Sequence, residues 1–168
     1  RLSGTAFGGP SDVRTSATCM LRRSRPVVER LFAKVGKLLA KPGAHFEDPQ
    51  VSRYDSGEYY KVHFDGPGAT EPEARMFLAC GGQRLATVLV YLNDVNAGGA
   101  TRFPLLDLDV RPKLGRALVF QPGTTSGAIE QRLLHEALPA VDTKWVCQVW
   151  VRHGVDTHGC FMNTAESS

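Results

Sequence analysis

Residues 58–66 read EYYKVHFDG. The stretch has the composition of a β-strand, and His63 and Asp65 stand two residues apart within it. Side chains at i and i+2 of a strand leave from the same face. On a strand these two would project side by side, as one nitrogen ligand and one carboxylate ligand would. A half-buried strand with a polar face looks the same, so the pair gains meaning only from the rest of the chain.

A third ligand is expected from another strand. Of the five histidines, His135 in RLLHEALP is the best candidate. Leu133 and Leu134 before it suggest a well-packed strand over 132–138. His45 follows a helix in a loop, His153 ends the last strand, and His158 sits in the polar tail. Two histidines and a carboxylate can occupy one face of an octahedral Fe(II) and leave positions open for chemistry. A closed structural zinc site would want four ligands.

Nine residues beyond His135, Lys144 opens KWVCQVWVRH. Strand alternation puts Lys144, Val146, Gln148, Trp150 and Arg152 on one face. A lysine on the inner face of an apolar strand needs an anion, because an unpaired buried ammonium is costly. Two readings stand: a lysine that snorkels at the strand end, or a clamp for a ligand carboxylate. Cys147 falls on the opposite face, toward a helical layer, as a buried thiol.

Around this core the pattern is one helix and many strands. Pro26 to Ala40 carries Val27, Val28, Leu31, Phe32, Val35, Leu38 and Leu39 at helical spacing, with Pro26 in the first turn and Pro42-Gly43 as a stop. Before it, 14–21 reads as a strand. After it come candidate strands at 50–54, 59–65, 84–92, 99–104, 106–112, 116–121, 132–138 and 144–153, separated by Gly, Pro, Asn and Asp turns. The expected architecture is mainly β with an α layer: a double-stranded β-helix (jelly-roll) core with N-terminal helix packed on one sheet. Ligands of such barrels sit in the mouth between the sheets. Residues 1–13 read as a lead-in, 14–155 as one catalytic domain, and 156–168 as a tail.

The bulk properties agree with one domain. The chain has 168 residues, 42% hydrophobic and 22% charged, with a formal net charge of +3. That charge is too small to point to nucleic acid. The longest apolar run, LATVLVYL (85–92), is too short to cross a bilayer. The first residue is Arg1, so the compartment stays open between the secretory pathway and the cytoplasm. Cys19, Cys80, Cys147 and Cys160 include no CxxC pair, which argues against a zinc ribbon and leaves the disulfide state open.

RYDSGEYYKVHFD (53–65) resembles the signature of the prolyl 4-hydroxylases. These are Fe(II)- and 2-oxoglutarate-dependent dioxygenases with a jelly-roll core. The family's recurring tyrosine, glycine, tyrosine, histidine and aspartate fall on Tyr54, Gly57, Tyr60, His63 and Asp65. GGQRLATVLVYLNDVNAGGATRFP (81–104), RPKLGRALVF (111–120), LLHEALPAVDTKW (133–145) and RTS (14–16) resemble further blocks in order. The resemblance implies Fe(II) on His63, Asp65 and His135, with Lys144, Tyr54 and Thr101 binding 2-oxoglutarate. It implies a proline-containing peptide as substrate, met by Tyr60, Arg84 and Trp150, O2 as oxidant, and ascorbate to restore oxidised iron. Tyr60 has the wrong strand parity to join His63 and Asp65, and needs a bulge or a twist to reach the mouth. The chain also departs from the family. Lys144 is one residue closer to its histidine than in collagen-type enzymes. Glu58 replaces a common glutamine, and the stretch from Pro104 to Val110 is short. Arg152 stands where many relatives carry a histidine near the substrate, and is expected to face substrate there. The last two features raise a second reading, the same chemistry on a free amino acid, another side chain or a small acid. A third is a jelly-roll binding module without turnover, against which the four intact residues His63, Asp65, His135 and Lys144 speak.

Overall fold

The structure, a computed structural model, describes residues 13–68 and 74–157. His158, Cys160 and most of the expected lead-in and tail lie outside the described residues. In chain order the elements are β1 (Ala17–Met20), α1 (Pro26–Leu39), β2 (Gln50–Tyr54), β3 (Tyr60–His63), α2 (Ala74–Ala79) and β4 (Arg84–Tyr91). Then follow β5 (Thr101–Phe103), β6 (Leu108–Val110), β7 (Ala117–Phe120), β8 (His135–Ala137) and β9 (Lys144–Arg152).

The apolar run LATVLVYL becomes β4, inside a five-stranded sheet ordered β1-β2-β9-β4-β7. A four-stranded sheet, β3-β8-β5-β6, faces it. Every pairing between strands is antiparallel. Two antiparallel sheets of this order form the expected jelly roll. β4 and β9 are buried on both faces because each has a layer on either side. On one side Val35 of α1 and Phe46 pack with Ala86, Val88, Val149 and Val151. On the other, Leu89, Tyr91, Tyr54 and Val146 meet Tyr60 and Ala137 of the smaller sheet.

Helix α1 ends one residue before the expected stop. Ala40 takes the left-handed conformation and donates its N–H to the Gly36 carbonyl. Gly36 has a local reason: a Cβ there would stand 2.9 Å from the Lys41 carbonyl oxygen that the cap folds over it. The buried stripe is narrower than the spacing suggests. Val27 and Leu38 are more than half exposed, and only Val28 and Val35 are fully buried. A helix on a twisted sheet touches it along one line, and residues flanking that line face water.

Three segments depart from expectation. Leu133 belongs to a 3-10 turn, Gln131–Leu133, and Leu134 caps it, so β8 starts only at His135. The stretch 104–106 is another 3-10 turn, opened by Pro104, which cannot donate to a sheet ladder. Asp65 lies two residues past the end of β3. Helix α2 was not anticipated; six residues are too few for a helical period to show.

Phe46 is fully buried between α1 and the larger sheet, and its ring meets Phe32 edge-on at 5.2 Å. Phe46→Ala is expected to lower the unfolding free energy by about 3–5 kcal/mol. Leu38→Ala, on the water side of α1, should change it by about 0.5 kcal/mol or less. Urea unfolding of the two variants compares them directly.

Candidate metal centre

His63, Asp65 and His135 each offer one ligand atom, and these atoms lie within 4.8 Å of one another. β3 ends in His63 and β8 begins with His135, and the two residues are direct cross-strand partners. Their rings are 4.3 Å apart. Asp65 comes from the turn after β3 rather than from the strand, so strand parity does not place it. Hydrogen bonds from β4 do. Thr87 donates to Asp65 Oδ2 at 2.5 Å, and Arg84 Nη1 donates to the Asp65 carbonyl at 2.5 Å.

The histidine protons can be assigned from their partners. His63 Nδ1 lies 2.7 Å from the Lys61 carbonyl, and His135 Nδ1 lies 2.9 Å from the Leu133 carbonyl. A carbonyl only accepts, so both Nδ1 atoms carry hydrogen, and Nε2 is the nitrogen each ring can offer to a metal. His135 Nε2 is buried, lacks a hydrogen-bond partner among the described residues, and stands 3.8 Å from Asp65 Oδ1. Burial, followed by the neighbouring His135, pushes the His63 pKa down to about 4. Burial alone would raise the Asp65 carboxyl, but His135, Arg84, His63 and the Thr87 hydroxyl together bring it below its ordinary value. Two imidazoles that turn Nε2 inward beside an ionised carboxylate form a donor set that fits a divalent iron.

A cavity between the sheets runs from His63 and His135 to Lys144. Tyr54, Thr101 and Gln148 line it along the way. Lys144 is buried, with Nζ donating to the Gly99 carbonyl at 3.0 Å and lying 4.4 Å over the Tyr54 ring. Gly99 adopts φ +69°, a left-handed conformation, and a Cβ there would stand 3.0 Å from the Ala140 Cβ. Among the described residues no carboxylate lies within ion-pair distance of Nζ, and burial lowers its pKa to about 8. The lysine does not snorkel. Thr101 Oγ1 stands 2.8 Å from the Tyr91 hydroxyl, which is also 3.0 Å from the Val110 carbonyl.

Tyr60 reaches the site by a bulge. Three residue steps on β3, Tyr60 to His63, face two on β8, Ala137 to His135. The extra residue reverses the parity, and the Tyr60 ring stacks on His63 at 3.6 Å between centroids. Arg14, held by Ser16 and Ser52, covers the other face of Tyr60 at 4.7 Å.

Arg152 corrects the sequence reading. It does not face substrate: it is fully buried, its Nε lies 2.9 Å from Glu47, and its Nη1 donates to the Phe77 and Gly82 carbonyls. Arg84 is brought to the site with its donors engaged by Glu47 and Asp65, and its guanidinium lies 3.9 Å over the Trp150 ring. Trp150 is buried beneath it. Glu58 closes its own turn by accepting from the Asp55 amide at 2.7 Å. Cys19, Cys80 and Cys147 are free thiols, and burial raises Cys147 to about 11. Sequence reasoning missed Glu47, Thr87, Tyr91 and Arg14 as parts of the site. Thr87 had a signal, a lone hydroxyl inside an apolar strand that must find a partner. Glu47 had none.

A profile of the 2OG-Fe(II) oxygenase superfamily matches residues 49–152, and the chain belongs to that superfamily. Within it, the relatives are prolyl 4-hydroxylases. The human prolyl 4-hydroxylase subunit alpha-1 is 38% identical over 127 residues, 75% of this chain and 24% of that subunit. A protein of Acanthamoeba polyphaga mimivirus, described provisionally as a prolyl 4-hydroxylase, is 34% identical over 153 residues, 90% of this chain and 62% of its own length. The chain therefore spans less than two thirds of these relatives. The viral collagen prolyl hydroxylase of Paramecium Bursaria Chlorella virus-1, solved with 2OG, superposes with a TM-score of 0.72 at 29% identity, covering 83% of this chain and 80% of that one.

Asp65→Ala is expected to abolish tight binding of one divalent metal ion per chain, measured by equilibrium dialysis with Fe(II) under anaerobic conditions. Cys147→Ala, on the helix side of β9, should bind as the unaltered protein does.

Proposed function

We propose that the chain is a prolyl 4-hydroxylase-like dioxygenase that converts a peptidyl proline, 2-oxoglutarate and O2 to hydroxyproline, succinate and CO2. The observation that carries the reading is Lys144: a buried ammonium without a carboxylate partner among the described residues, in the cavity lined by His63 and His135, the two histidines grouped with Asp65. An ammonium so placed requires a ligand anion.

His63, Asp65 and His135 would hold Fe(II), whose chemistry is to activate O2 against 2-oxoglutarate so that one oxygen atom enters succinate and the other the substrate hydroxyl. The protein's part is positional. Lys144 would pair with the distal carboxylate of 2-oxoglutarate. Tyr54 supports this: burial raises its phenol pKa, so the hydroxyl keeps its proton and can donate. Thr101 would add a second hydroxyl, oriented by Tyr91. The walls of the cavity would exclude water and fix the cosubstrate's reach to the metal. Tyr60, stacked on His63 and covered by Arg14, would border the substrate's approach with its ring edge and hydroxyl. Arg84 and Trp150 would form the wall beside Asp65. Ascorbate would return iron oxidised in unproductive cycles to the ferrous state.

The small-acid reading loses its main support with Arg152, because that guanidinium is fully buried, with Glu47 and Asp156 at ion-pair distance and Nη1 on two carbonyls, away from the cavity that holds Lys144. The binding-module reading offers no reason for a lysine without a carboxylate partner to share a cavity with two histidines of the ligand triad.

Succinate formation from 2-oxoglutarate with Fe(II) and ascorbate, with and without proline-rich peptides, tests the assignment. A stimulating peptide is expected to gain the mass of one oxygen atom at a proline. Turnover that no peptide changes would leave the iron site standing and remove proline from the proposal.

The Lys144 pKa gives a pH dependence with a definite sign. The ammonium form binds the carboxylate, and the free site loses its proton at about pH 8. The KM for 2-oxoglutarate is therefore expected to be flat near neutrality and to rise about tenfold per unit well above pH 8. Lys144→Ala should raise KM by about two orders of magnitude and abolish that slope.

A further inference from the structure

Glu47 lies outside every motif that resembles the family's, in the segment between the short 3-10 turn Gly43–His45 and β2. Its amide donates to the Trp150 carbonyl at 3.0 Å, which ties it to the far end of β9. Its carboxylate accepts a fork from Arg84, Nε at 2.7 Å and Nη2 at 2.6 Å. The same carboxylate stands 2.9 Å from Arg152 Nε, which is also 3.3 Å from Asp156. Two guanidinium groups and two carboxylates thus meet in the interior, with side chains between 0% and 16% exposed, and Arg23 joins Asp156 from the surface at 3.6 Å.

A buried cluster of this kind contributes little to stability compared with apolar packing of the same volume. Its geometry shows another use. Two of Arg84's three nitrogens are held by Glu47, and the third donates to the Asp65 carbonyl. A bulge makes this possible. Arg84 to Ala86 on β4 spans two residue steps, while Arg152 to Val151 on β9 spans one. The extra residue turns Arg84 to the same side as Thr87, and Arg84 and Thr87 then grip Asp65 by its backbone and its carboxylate. Gly81 lets the preceding turn close over Arg152: a Cβ there would stand 3.1 Å from Arg152 Cδ, at φ +120°.

We propose that Glu47 is a positioning residue for the metal centre, fixing Arg84, with Arg152 packed behind it, so that Asp65 is held at ligand distance from His63 and His135. The inference rests on the metal reading of that triad and not on the identity of the substrate. Asp65 sits in a turn rather than on the strand, so strand pairing does not hold it. Without Glu47 the Arg84 guanidinium loses both bonds of its fork and keeps only its ring contacts, so its grip on the Asp65 carbonyl loosens and the Thr87 bond carries more of the turn.

The test is a Co(II) titration of the purified chain, followed through the visible bands of bound Co(II), on Glu47→Gln and Arg84→Lys. Arg84→Lys keeps the charge and loses the fork. Both variants are expected to bind Co(II) about tenfold to a hundredfold more weakly, with a changed band pattern, as removal of a group that orients a ligand does. Near-ultraviolet circular dichroism identifies the variants that fold. A folded variant with unaltered Co(II) affinity and spectrum overturns the proposal. If neither variant folds, the cluster is scaffold and the positioning role is equally overturned. Absence of Co(II) binding by the unaltered chain would overturn the metal reading itself, whatever the variants do.

Discussion

Asp65 is an ionised carboxylate held in the interior beside two imidazoles, and the structure around it follows from that constraint. A charge in such a place must be compensated. Thr87 donates to one oxygen, the other faces His135 Nε2 at 3.8 Å, and Arg84 donates to the Asp65 carbonyl. The three ligand atoms surround a point at which a cation completes the compensation. A divalent metal supplies it, and the same arrangement that would be costly without metal becomes a binding site with it.

Two β-bulges aim the side chains that surround this point. An isolated strand sends Tyr60 away from His63, and Arg84 away from Thr87. One extra residue in β3 and one in β4 reverse both parities. The bulges fall on the two strands that flank the Asp65 turn in sequence, one in each sheet. Each exchanges regular pairing for a directed side chain, which is what bulges beside functional sites commonly do.

Strand β9 carries a cation at each end of one face, and the two have different environments. Lys144 has a carbonyl, an aromatic ring and an open cavity. Arg152, roughly 26 Å along the strand at about 3.3 Å per residue, has Glu47, Asp156 and two carbonyls. Sequence alternation gives both the same inward direction and no means of telling them apart. The difference between a ligand clamp and a buried strut lies in whether a carboxylate from elsewhere in the chain reaches the cation.

Much of the fold was legible in local sequence. The helical stripe from Val28 to Leu39, the apolar β4, the alternation in β9 and the turn residues between strands carry their periods in the chain itself. His63, Asp65, His135 and Lys144 were legible from ligand types spaced along candidate strands, although Asp65 falls in the turn after β3. The narrower stripe of α1, the late start of β8 and the 3-10 turn after Pro104 were not, because they depend on what packs against them. Sequence alone determined the inventory: which groups can bind a metal and an anion, and which strands carry them. Tertiary structure decided the assignment of Arg152, the reach of Tyr60 and the role of Glu47. These depend on strand register and on contacts between residues distant along the chain, and a single bulge inverts the face on which a side chain falls.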